Sequence, residues 1–302
     1  MNVCTEYGTL ERGIITSALE YLEENPGIKT FVIGISGGVD SALCAALARE
    51  VADLNGGIKV IGASIPITTN GEDEIARAQK VGEAFLDEFI EKDMGSEFTT
   101  MVASLMPTVH GDMAMGKEID VASRVRLGNI KARLRMTYLY DLAQANNGLV
   151  LSTDNYTEYN LGFWTLHGDV GDLGFFQELW KTEVYGLADH MKQTYNSAGQ
   201  LKRCYALMEC INAVPTDGLG VSDNDLSQLL PDYKGEDWRA AYATVDAVLI
   251  DRLDATHSFP ADHPVNVRHT ATAFKRANPV SFKREFLTWV HNGGSWQKGT
   301  AQ

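Results

Sequence analysis

Thr30-Phe31-Val32-Ile33-Gly34-Ile35-Ser36-Gly37-Gly38-Val39-Asp40-Ser41 is the stretch on which the fold turns. A short apolar, β-branched run ends in glycine, as a buried parallel strand does. A glycine turn follows. Leu43, Leu47, Val51 and Leu54 then recur at helical spacing, so a helix opens directly after the turn and packs one face on a sheet. Two adjacent glycines let the backbone approach a phosphate. Ser36 and Ser41 add hydroxyl donors, and the helix N-terminus adds partial positive charge. The loop lacks the GK[ST] of a Walker A motif and the spacing of a dinucleotide fingerprint. Asp40 sits where a purely anion-binding loop avoids negative charge, which points to a divalent cation bridging the phosphates.

Outward from this stretch, strand and helix signals alternate. Ile58–Pro66 and Gly148–Thr153 read as further strands, with a shorter one over Phe89–Met94. Helices are expected over Arg124–Ala145 and Lys181–Met191, and a helical tail without strands beyond about residue 236. The pattern predicts an α/β doubly wound, Rossmann-like parallel sheet with helices on both faces, in one domain over residues 1–302. Met106–Lys117 and Pro215–Glu236 read as loops. For the second, a functional lid and an idle surface loop are the two readings.

Net charge is −14, with 40 acidic against 26 basic residues among 302. A nucleic-acid enzyme normally carries a basic face, so DNA and RNA are poor candidates. A nucleotide needs only a few local donors and stays open. No apolar run approaches the ~20 residues of a membrane span. No signal-type segment is present, and four scattered cysteines suit a reduced interior. A cytoplasmic protein without a membrane partner is expected.

SGGVDS after a strand resembles the pyrophosphate loop of the N-type ATP pyrophosphatases, which include NAD, GMP and asparagine synthetases and tRNA-modifying enzymes. Three further segments resemble the NAD synthetases in order and spacing: Asn129-Ile130-Lys131-Ala132-Arg133-Leu134-Arg135-Met136, Ser152-Thr153-Asp154-Asn155-Tyr156-Thr157-Glu158, and Gly162-Phe163-Trp164-Thr165 with Gly168-Asp169. Lys181-Thr182-Glu183-Val184, Pro215-Thr216 and Phe274-Lys275-Arg276 fall where that family has its later motifs. The resemblance covers about residues 30 to 280.

It implies ATP and Mg²⁺, with deamido-NAD and ammonia as the other substrates and a homodimer as the assembly. Gly34, Ile35, Ser36, Gly37, Gly38, Val39, Asp40, Ser41, Ser64, Thr153, Lys181 and Thr216 would hold ATP. Asp40 and Glu158 would hold the metal. Arg133, Asp172, Phe274 and Lys275 would meet the dinucleotide. Asp169 and Lys181 would act in catalysis, Asp169 by binding ammonium and accepting its proton. Each charge also has a plainer reading, as a turn aspartate, a solvated loop carboxylate or a surface cation.

Most departures from the family touch the acceptor half. Leu166 stands where the family has a lysine, Phe274 where it has a histidine, and Ser152 where it has a glycine. Asp172 matches only with a one-residue deletion. Only 35 residues precede Ser36, so no glutaminase domain is expected before the loop. An amide ligase acting on another carboxylate, and a non-catalytic nucleotide-binding protein, are the competing readings.

Overall fold

In a computed structural model, residues 3–68, 71–168, 170–216, 226–235, 237–277, 289–292 and 295–298 are described. An N-terminal helix α1 (Tyr7–Glu24) leads into β1 (Thr30–Gly34), the glycine loop and α2 (Val39–Asn55). Then come β2 (Lys59–Ser64), α3 (Glu72–Phe85), β3 (Glu88–Glu91), α4 (Gly95–Leu105), α5 (Pro107–Ala114), α6 (Val121–Ala145) and β4 (Gly148–Ser152). A short α7 (Tyr156–Leu161) and a two-residue β5 (Leu173–Gly174) precede α8 (Lys181–Ser197) and α9 (Leu201–Ile211). The remainder comprises α10 (Leu226–Leu229), α11 (Trp238–Leu253), α12 (Pro264–Ala271), α13 (Ala273–Arg276) and a hairpin of β6 (Trp289–Asn292) with β7 (Ser295–Lys298).

The five strands form one parallel sheet in the order β3-β2-β1-β4-β5. The order reverses at β1, so the loop after β1 stands at a topological switch point, where such sheets bind ligands. Alternate side chains feed two cores, as the strand period of two requires. Phe31, Ile33, Leu149 and Leu151 join the core under α2, α8, α9 and α11. Val32, Ile61 and Val150 join the smaller core under α4 and α6. Alanines at 42, 45, 46, 48 and 52 are buried on α2, so that helix approaches the sheet closely.

The expected doubly wound sheet is present, and three local expectations are corrected. Met106–Lys117 is mostly the helix α5, whose proline occupies the first turn, where its missing N–H costs nothing. The tail contains the β6–β7 hairpin, with Asn292 paired to Ser295, and is not purely helical. Leu54 is 67% exposed, because burial on α2 stops at Ala52 and periodicity does not say where a layer ends. The shorter strand β3 begins one residue before Phe89 and ends three before Met94. Of the expected loop Pro215–Glu236, residues 217–225 and 236 lie outside the described residues, and Leu226–Leu229 is helical. Among the described residues, no helix is long and apolar enough to cross a membrane.

Candidate active site

A cavity of about 340 Å³ opens over the C-terminal ends of β1, β2 and β4. The loop that forms its floor is held by its own serines. Ser41 Oγ accepts from Ser36 N at 3.2 Å and lies 3.1 Å from Ser36 Oγ, which in turn accepts from Gly38 N at 3.2 Å. Gly37 has φ +81°, and a Cβ there would stand 2.4 Å from the carbonyl oxygen of Glu74. Only glycine suits this point, where α3 presses on the loop. Arg77 of α3 donates from Nε to Gly37 O at 2.9 Å and completes that contact.

Three charged side chains meet beside the loop. Lys181 Nζ lies 2.6 Å from Asp40 Oδ2 and 2.9 Å from Glu158 Oε1. Asp40 is in the first turn of α2, Glu158 in the first turn of α7, and Lys181 is the first residue of α8. Helix starts place acidic side chains favourably, whereas Lys181 relies on its two partners. Burial works to lower the lysine's pKa, but the charges of Asp40 and Glu158 outweigh it and hold the ammonium well above its ordinary range. Burial, and then the charge of Asp40, raise Glu158 against the pull of Lys181.

Asn155 ties the cluster together. Its Oδ1 caps α7 by accepting from Glu158 N at 3.0 Å, while its Nδ2 donates to Asp40 at 2.9 Å. The three charges sum to one net negative charge. Among the described residues no group of three His, Cys, Asp or Glu side chains converges to hold a metal alone. Two carboxylates beside a glycine loop would instead suit Mg²⁺, which takes one or two carboxylates and completes its shell with phosphate and water oxygens.

Of the residues expected at ATP, Gly34, Ile35, Ser36, Gly38, Val39, Asp40, Ser64, Thr153, Lys181 and Thr216 line this cavity. Gly37 and Ser41 lie beneath its lining, on the contacts just described. Thr216 donates to Glu74 Oε1 at 2.9 Å, which brings the start of the Pro215 segment over the cavity. Arg135, within the Asn129–Met136 segment, also lines it, as do Arg77, Tyr185 and Tyr242, which no spacing singles out. The lysine ammonium lies 5.4 Å from the Tyr242 ring centroid.

A second cavity of about 710 Å³ adjoins the first, and the two share Met136 and Asp154. Arg133, Trp164, His167, Gln177 and Lys275 are in its lining. Both expected acceptor cations already hold main-chain carbonyls. Arg133 donates to Leu166 O at 3.1 and 3.3 Å, and Lys275 donates to Gly162 O at 2.6 Å and also to Trp164 O. Asp172 lines neither cavity: its carboxylate accepts from Tyr140 Oη at 2.9 Å and from Val150 N at 3.0 Å, at the edge of the sheet. Phe274 is 60% exposed and also lies outside both. Asp169 lies outside the described residues.

The C-terminal helices clamp the C-terminal end of α7. Arg268 donates to Leu161 O at 2.9 Å, and Arg276 to Asn160 O at 2.6 Å and His269 O at 2.7 Å. His269 Nδ1 accepts from Arg252 Nε at 2.8 Å, which needs a neutral imidazole. Burial, then the charges of Arg276 and Arg252, push His269 down to about 4. Between pH 4 and its ordinary pKa near 6.5 the unfolded chain therefore binds more protons than the folded one. The contribution is present above about pH 6.5 and is lost as pH falls toward 4. Discounted for the half-exposed ring, it is at most ~2 kcal/mol. Urea unfolding at pH 7.5 and pH 5 should show wild type losing more stability in acid than His269→Gln, and equal losses would contradict this reading.

The sequence profile of the NAD synthase family matches residues 13–279. The chain is 31% identical over 233 residues to an NH(3)-dependent NAD(+) synthetase of Mycoplasmopsis pulmonis, covering 76% of this chain and 77% of that one. It is 32% identical over 187 residues to the enzyme of the same name from Chlorobium phaeobacteroides, covering 62% of this chain and 61% of the relative. In fold it is similar to an NMN synthetase from Francisella tularensis, at TM-score 0.68 and 22% identity over 93% of this chain and 99% of the other. A profile match across 267 of the 302 residues, running through the loop, the carboxylates and the lysine, means that this chain belongs to the NAD synthase family.

Proposed function

We propose that the protein is an ammonia-dependent NAD synthetase, a ligase that amidates deamido-NAD at the expense of ATP and yields NAD, AMP and pyrophosphate. One observation carries the reading. Asp40, Glu158 and Lys181 converge over a glycine loop at the sheet's switch point, and a second, larger cavity opens beside them. A carboxylate is a poor acyl electrophile. Transfer of AMP to it creates a leaving group, and the pyrophosphate expelled in that step needs neutralising charge. The amides of the Ser36–Ser41 loop and the Lys181 ammonium supply that charge. A magnesium ion held by Asp40 and Glu158 would add Lewis-acid neutralisation of the phosphate oxygens. Ammonia then attacks the acyl-adenylate and AMP leaves. Asp169 is our candidate to bind ammonium and take its proton.

A homodimer with the acceptor near the subunit boundary is part of the proposal. The apolar side chains of Met101, Leu105, Met115, Val121 and Val125 on and around α4–α6 are exposed, and a second copy would cover them. ATP and a dinucleotide carboxylate as substrates suit a cytoplasmic enzyme.

An acceptor other than deamido-NAD is the second reading. Arg133 and Lys275 each commit two donors to main-chain carbonyls, and Leu166 offers no cation. Purified protein mixed with ATP, Mg²⁺, ammonium and a panel of nucleotide carboxylates separates the two. Pyrophosphate and AMP should appear in equal amounts with deamido-NAD and ammonium, and much less with equimolar glutamine. Release with another carboxylate alone would favour the second reading. No release with any of them would sink both.

A further inference from the structure

Asp246 is 1% exposed in the middle of α11, among Val245, Val248 and Leu249, and lies outside both cavities. A carboxylate buried in such surroundings loses its hydration and must be met by donors. Its donors come from two other helices. Asp246 Oδ1 accepts from Thr157 Oγ1 at 2.6 Å, and Oδ2 accepts from Thr182 N at 3.0 Å and from Thr182 Oγ1 at 2.8 Å. Thr157 Oγ1 in turn accepts from Lys181 N at 2.8 Å.

Each partner is the immediate chain neighbour of a charged residue of the site: Thr157 of Glu158, and Thr182 of Lys181. Trp180, the residue before α8, supplies no side-chain cap. The first two amides of α8 are instead met by Thr157 of α7 and Asp246 of α11, a cap delivered from two other helices. The carboxylate also faces the positive ends of α7 and α8 together. Burial pushes its carboxyl up to about 6, while the hydrogen bonds from Thr157 and Thr182 pull it back toward the charged form.

We propose that Asp246 is a positioning residue for the phosphate site, which fixes α7 against α8 so that Glu158 and Lys181 meet Asp40 in one geometry. The inference rests on the ATP reading given above. A purely apolar contact would hold the two helices together, but it would not set the rotation of each first turn. That rotation decides where Glu158 and Lys181 point.

Asp246→Asn keeps the side chain's size and leaves one acceptor oxygen for Thr182. Its amide then faces Thr157 Oγ1, and the threonine hydroxyl loses its acceptor. Affinity for a non-hydrolysable Mg·ATP analogue, measured by calorimetry, should fall at least tenfold. The Mg²⁺ concentration for half-maximal pyrophosphate release should rise by a similar factor, with KM for ammonium unchanged. Thr157→Val should reproduce the loss without touching the buried charge, and Thr157→Ser should restore it. The two Thr157 variants carry the test if Asp246→Asn does not fold. If Asp246→Asn or Thr157→Val melts at a lower temperature while its folded fraction binds the analogue with wild-type affinity, Asp246 is structural only and the proposal is overturned. If wild type itself does not bind the analogue, it is the ATP reading that falls.

Discussion

Asp40→Asn should lower pyrophosphate release by about a hundredfold to a thousandfold at saturating Mg²⁺, the range for removing one charge-stabilising group from a reacting centre. The substitution keeps the side chain's shape but turns an acceptor into a donor at a point already supplied with donors. Lys181 Nζ and Asn155 Nδ2 both point at this carboxylate, at 2.6 and 2.9 Å. One of those contacts becomes a donor facing a donor, and the cluster loses half of its negative charge. The fold should survive, because Glu158 still pairs with Lys181 at 2.9 Å, so the lysine is not left buried without a partner. Pyrophosphate release and far-ultraviolet circular dichroism on the same preparation separate the two effects. Wild-type turnover by Asp40→Asn would remove Asp40 from the metal role. A collapsed spectrum would mean that the charge cluster holds the fold.

Gly37→Ala should damage both stability and nucleotide binding, for a reason independent of charge. An alanine at φ +81° pays about 1–2 kcal/mol for a left-handed backbone. Its Cβ would also stand 2.4 Å from the Glu74 carbonyl oxygen, a contact that only a backbone shift relieves. Either α3 moves away, taking Arg77 and Glu74 with it, or the loop loses its curvature. We expect at least ~2 kcal/mol of destabilisation and a tenfold or larger loss of ATP affinity. Gly38→Ala is the comparison for stability alone. Gly38 has φ −89°, and its added Cβ would lie 3.4 Å from Ser36 Oγ. Its unfolding free energy should change by well under ~1 kcal/mol. Urea titration of the two variants tests the contrast, and equal destabilisation would contradict it.

Much of this architecture was legible in the chain, and the reasons are local. Strands β1, β2 and β4 are buried on both faces and therefore read as unbroken apolar runs. Helix α5 was not legible, because none of its residues is buried and no apolar period marks it. In the site, Asp40, Glu158 and Lys181 could be picked out through the resemblance, each lying in a recognisable segment. Asn155 and Asp246 could not. They act through hydrogen bonds to other elements, and no spacing in the sequence records such a bond. Arg133 and Lys275 show the opposite difficulty. A lysine or arginine near a site has the same sequence signature whether it meets a ligand or caps a carbonyl, and here both meet carbonyls.

The order in which the chain supplies these parts has a kinetic consequence. Asp40 and Lys181 are 141 positions apart, and Thr157 and Asp246 are 89 apart. Contacts across such separations form late, because loop closure must come first. A chain emerging from the ribosome has all five strands of the main sheet in hand before the aspartate that aligns α7 and α8 has been made. Such a nascent chain carries the glycine loop without the geometry to use it. Stabilisation by a ligand accrues only to a state that binds it. ATP should therefore shield chains that extend past residue 246 from proteolysis and leave shorter ones unprotected, which makes nucleotide occupancy a mark of synthesis beyond that aspartate.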